Sequence, residues 1–217
     1  STQYSKQYGT TCYEEEKVNN YRTLFVLFAP GLGGNHIANL LSTSNEFLNR
    51  FSSHDYNTSE PNAHFFNITN IELEDISDNI DILSTQNNIL CGHWASYYWL
   101  MQSDLSKHFN NRQILIIEPP SYGTMAYERL IKHVTAYTNH YLYEEMKLLY
   151  TIETMQKMFD DDDFFVLNAD VIFQNSINTF IEKAEEEFCI KLNSTLCKTI
   201  HDKWFVNRLK ETNVKTN

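Results

Sequence analysis

Nineteen residues, TLFVLFAPGLGGNHIANLL from Thr23 to Leu41, constrain this chain more than any other stretch. Residues 23–29 are nearly all apolar, as suits a strand buried on both faces, and Pro30 and Gly31 end the run. Three of the six glycines, Gly31, Gly33 and Gly34, then fall within four positions. Glycine at that density marks a backbone that turns sharply or is approached closely. Asn35 offers a cap for the helix that follows, with Ile37, Leu40 and Leu41 on one face.

A strand that breaks into a Gly-rich turn and resumes as a helix presents helical N–H groups and a partial positive charge. That suits a phosphate or sulfate; a tight turn with no ligand is the other reading. The turn is not of the Walker type, G-x-x-x-x-G-K-[ST], because Asn35 and His36 stand where Lys and Ser or Thr belong. Between Lys17 and Lys107 the only cations are Arg22 and Arg50. Nucleotide hydrolysis or kinase chemistry by the usual route is therefore the least favoured function.

Further along, residues 88–91, 113–120 and 164–168 read as three more strands, and residues 63–68 as a short one within a polar loop over 51–70. Helical spacing predicts helices over 96–109, 121–150, 175–188 and 196–210. Continuously apolar strands separated by helices define the expected fold class: α/β, a parallel sheet flanked by helices. The Gly-rich turn, His93 and residues 118–121 all fall at carboxyl ends of the predicted strands, where such sheets bind ligands. The domain reading is a polar arm over 1–20 and a single α/β domain over 21–217.

The formal charge of −11 argues against nucleic acid and anionic membranes as partners. No apolar run approaches the ~20 residues of a membrane span. No signal segment opens the chain, and Cys12, Cys91, Cys189 and Cys197 form no CxxC pair, so reduced thiols in a cytoplasmic protein are expected. No metal is expected either: Asp160 to Asp163 read as a solvated turn, and His133 and His140 are seven apart rather than four.

With its loop, its "CGHW" and its "ILIIEPP", the chain resembles the sulfotransferase branch of the P-loop fold, from Thr23 to about Phe188 in element order. That family binds the donor PAPS on a turn of the type P-K-S-G-T-T, which is Pro30 to Asn35 here. Pro30 and Gly33 match, while Gly31, Leu32, Gly34 and Asn35 replace the Lys, Ser and both Thr. The resemblance implies a P-loop-like turn after the first strand, with donor contacts at Gly31, Leu32, Gly33, Gly34, Asn35 and His36. It implies His93, from Gly92-His93, as the base that deprotonates an acceptor hydroxyl or amine, and His36 as the loop's positive group; by residue type alone His93 reads equally as a core histidine paired to a backbone carbonyl, and His36 as a residue that simply sits on the first turn. Glu118 stands at the family's Arg position for the 3′-phosphate, and Ala126 about where its Ser belongs. Ser121, Arg129 or the C-terminal cations Lys198, Lys203 and Arg208 are the substitutes at hand.

The implied partner is a small-molecule or glycan acceptor. Trp94, Tyr97, Tyr98 and Trp99 either wall its pocket or pack the core. A non-catalytic binding or assembly protein on the same fold is the alternative, and oligomeric state is left open.

Overall fold

Four apolar runs become four parallel strands, β1 (Thr23–Leu27), β2 (Asn88–Gly92), β3 (Arg112–Glu118) and β4 (Phe164–Asn168), in the order β2-β1-β3-β4. The computed structural model describes residues 21–28, 31–47, 73–137 and 164–213. β1 is central and wholly buried, pairing Phe25 with Leu90 on one side and with Ile114 on the other. The fold class is therefore α/β. Six helices accompany the sheet among the described residues: α1 (Gly34–Leu41), α2 (Leu73–Leu83), α3 (Trp94–Met101), α4 (Met125–Tyr137), α5 (Asn178–Phe188) and α6 (Ser194–Asn213). No described helix is long and apolar enough to cross a membrane.

The strand order decides where a ligand can sit. From β1 the chain passes to β2 on one side, and from β3 to β4 on the other. The direction reverses between β1 and β3, and a crevice opens past their carboxyl ends at such a point. The core beneath it is aromatic. Phe25 is fully buried, with Tyr97 edge-on at 4.9 Å and Phe109 at 5.6 Å. At the opposite end of the sheet Arg22 ties β1 to its neighbours, through Gln113 and the carbonyl of Phe188. Its half-buried guanidinium is held below its usual proton affinity by desolvation, which Glu46 partly offsets.

Local differences from the sequence expectations have physical causes. Asn35 does not cap α1. The helix begins two residues earlier, at Gly34 behind Gly33, which is left-handed (φ 77°), and no side chain caps it. The Asn35 carboxamide turns instead to the buried Cys91 thiol, 3.5 Å away, whose pKa burial pushes up to about 12. The single helix predicted over 96–109 is two pieces, because the Ser103 hydroxyl accepts from Leu105 N–H and starts a separate 3₁₀ turn, Asp104–Phe109. The helix predicted from 121 starts at Met125, because Gly123 is left-handed and the Thr124 hydroxyl accepts from Tyr127 N–H. The helix predicted from 175 starts at Asn178. α2 is an addition to the sequence reading. The polar arm, the 51–70 loop with its short strand, and Asp160 to Asp163 lie outside the described residues.

Candidate functional site

At the end of β1 the chain passes through two left-handed glycines, Gly31 (φ 89°) and Gly33 (φ 77°), before α1 begins at Gly34. Gly33 requires glycine through its φ, which excludes most side chains; a Cβ there would also crowd the movable Ile172 Cδ1 at 2.7 Å and touch Trp204 at 3.4 Å. Gly34 has an ordinary helical backbone but no room, since a Cβ would lie 1.9–2.4 Å from three ring atoms of Phe28. Two of the three glycines are thus explained by this chain's own backbone and side chains. Leu32, between them, is buried at 1% exposure.

The cation missing from the loop sequence arrives from α4. Arg129 donates from a guanidinium nitrogen to the Gly31 carbonyl at 2.6 Å, and its guanidinium lies 5.7 Å from the Phe173 ring centre. The contact joins residues 98 apart and depends on β1 lying beside β3.

His93 follows the last residue of β2 and precedes α3. Phe28 N–H donates to the Gly92 carbonyl at 3.1 Å, and His93 Nδ1 lies 2.9 Å from the Phe28 carbonyl. A carbonyl can only accept, so Nδ1 carries the hydrogen. In the neutral ring Nε2 is then the basic nitrogen, on a half-buried side chain beside the Gly-rich turn. The Phe28 ring packs 5.7 Å from that imidazole. Phe28 therefore connects Gly34 to His93: its ring fills the space the glycine leaves, and its carbonyl sets the histidine's tautomer.

His36 sits elsewhere. It is buried at 4% exposure, stacks on Trp204 at 4.1 Å, and places Nε2 3.1 Å from His201 Nδ1. Its ring faces α6. Ser121, after β3, is exposed, and its N–H donates to Asp170 Oδ2 at 2.9 Å. Glu118 ends β3 and accepts from the Asn168 carboxamide at 3.2 Å. Two carboxylates, Glu118 and Asp170, thus lie at the ends of β3 and β4, where the resemblance places a phosphate-binding arginine. Among the described residues no group of three His, Cys, Asp or Glu is placed to hold a metal.

Of the aromatics after His93, Tyr97 is core at 1% exposure, while Tyr98 and Trp99 are exposed at 39% and 62%. Lys198 and Lys203 lie on the exposed face of α6, and the side chain of Arg208 lies outside the described residues. His201 and Trp204 belong to HDKWFVN, His201 to Asn207, a stretch of charge and aromatics that the sequence leaves open as a C-terminal lid or an interaction helix, without a place in the site. Their signal was available as period: Cys197, Ile200, His201, Trp204 and Phe205 form one helical stripe, with a histidine in an aliphatic position.

Comparison with family models, with curated protein sequences and with solved structures finds no match to this chain, so its functional reading rests on its own residues.

Proposed function

We propose that this protein is a transferase of the sulfuryl type, using the Gly31–Asn35 turn for the anionic end of a donor such as PAPS and His93 as the acceptor's base. The observation that carries the reading is the His93–Phe28 hydrogen bond. It puts the hydrogen on Nδ1 and leaves Nε2 as the basic nitrogen of the neutral ring, as proton removal from a hydroxyl requires; a structural histidine paired to a backbone carbonyl makes the same bond. Arg129 adds support, because it brings a permanent positive charge to a loop that has none in its own sequence.

The fit to PAPS is good at one end and poor at the other. The turn, the α1 N-terminus and Arg129 suit the phosphosulfate. Glu118, already engaged by Asn168, offers no attraction to a 3′-phosphate. When bound, such a donor supplies an activated sulfuryl group. The chain's residues orient it, balance its charge and take the acceptor proton at His93 Nε2. Sulfate transfer from PAPS to a panel of hydroxyl and amine acceptors is expected with the wild-type protein and is expected to fall by about 10²–10⁴-fold in His93→Ala. Transfer that survives the substitution removes His93 from the mechanism.

A second reading, a non-catalytic binding or assembly protein, is favoured by the packing of Phe28, Ile172 and Trp204 into the space at Gly33 and Gly34. It predicts no transfer in either protein.

A further inference from the structure

Helix α6 lies antiparallel along α1. Cys197 Sγ is 3.6 Å from the Leu40 carbonyl, His201 bonds His36, and Trp204 reaches Gly33, so numbers rise on one helix as they fall on the other. Asn193 starts α6, its side chain accepting from Leu196 N–H. The buried stripe is aliphatic or aromatic at Ile200, Trp204 and Phe205, and His201 among them is 0% exposed.

The hydrogens of this pair can be assigned. His201 Nε2 lies 2.7 Å from the Gln174 carbonyl, which can only accept, so Nε2 carries a hydrogen. The neutral ring then accepts at Nδ1, and His36 Nε2 donates to it. The pair thus hangs from the segment after β4 and ties α6 to α1. One added proton puts a full charge among Trp204, Phe205 and Ile200. A second leaves N–H facing N–H. Both are costly in an apolar setting.

We propose that the His36–His201 pair is an acid-sensitive latch, which holds α6 and its Trp204 against the Gly-rich turn and releases them when the pair takes up protons. Burial holds His201 below its ordinary proton affinity, against the opposing effects of the Gln174 hydrogen bond and Asp202. A released α6 therefore binds protons more readily than a docked one. Docking is fully favoured above the ordinary histidine value of about 6.5, and that favour is lost as pH falls from there toward the depressed docked value. The charged or titratable groups on the elements around the pair are Cys197, Lys198, Asp202, Lys203, Arg208, Lys210 and Glu211 on α6, Asp170 on the turn after β4, and Glu128, Arg129, Lys132 and His133 on α4 besides its tyrosines; α1 carries none besides His36. Of these, Asp202 opposes release.

Amide hydrogen exchange of the full chain at pH 7.5 and pH 5.5, corrected for intrinsic rates, tests the latch without any nucleotide. Its outcome is thus separate from that of PAPS transfer. Amides of α6 are expected to lose protection by up to about tenfold per pH unit for each proton taken up, while β1 and β3 keep theirs. Protection of α6 that is level with pH, or that falls only in step with β1 and β3, overturns the proposal. His201→Gln retains a donor for Gln174 and an acceptor for His36 but does not itself titrate, and is expected to weaken the dependence clearly, leaving only the part that His36 carries. A dependence as steep as wild type overturns the latch, and if that variant does not fold, the wild-type exchange decides alone.

Discussion

Gly34→Ala is expected to lower stability by about 1–3 kcal/mol, the range for overpacking a full core. In an exposed helix the same change is worth up to about 1 kcal/mol in the other direction, because alanine is the better helix former. The sign is therefore the test. The new methyl would lie 1.9 Å from Phe28 Cδ1 and 2.1 Å from Cγ. Cγ is the root of the ring, so a swing of the ring's far end does not clear it, and either χ1 of Phe28 turns or the backbone of residue 28 moves. That backbone also holds His93 Nδ1. Urea unfolding should show a lower midpoint at unchanged slope, and the His93 ring nitrogens should shift in NMR spectra. A gain in stability would mean that Phe28 does not occupy the space beside Gly34.

Trp204→Ala is expected to cost about 3–5 kcal/mol. The indole is 5% exposed, stacks parallel on His36 at 4.1 Å, and meets Phe173 edge-on at 5.0 Å. Its removal leaves a cavity between α1, α6 and the segment after β4, and strips the wall behind Gly33. At about 2–4 °C for each kcal/mol in a chain of this size, the melting temperature should fall by roughly 6–20 °C. Trp99→Ala is the matched control. With its side chain 62% exposed, it should change stability by no more than about 0.5 kcal/mol. Equal effects from the two substitutions would contradict the docking of α6 on the Gly-rich turn.

The strands were legible in the sequence because a strand buried on both faces needs only to be apolar, and 23–29, 88–91, 113–120 and 164–168 are. Their order was not legible, since pairing between residues some 65 or 90 positions apart leaves no local trace. For the same reason Arg129 could be suspected as a substitute cation but not placed at Gly31. Asn35 looked like a cap by composition; its carboxamide found Cys91, a partner from another strand. α2 escaped notice because LEDISDNIDIL is mostly polar, with Ile76, Ile80 and Leu83 alone marking its buried side. His93's place at the end of a strand was legible because that is a local property. His36 was assigned to the loop by proximity in sequence, while its burial against His201 and Trp204 depends on a helix 165 residues away.

Thermal unfolding with and without PAP, the desulfated form of the donor, tests the central claim most directly, with ATP and Mg²⁺ run alongside. At about 100 times its Kd, PAP should add roughly 2.7 kcal/mol, a rise of several degrees in the melting temperature. Arg129→Ala should reduce that rise, and ATP should give none. No shift with PAP would contradict an anion site on the Gly31–Asn35 turn and leave the turn as a packing device for Phe28 and Trp204.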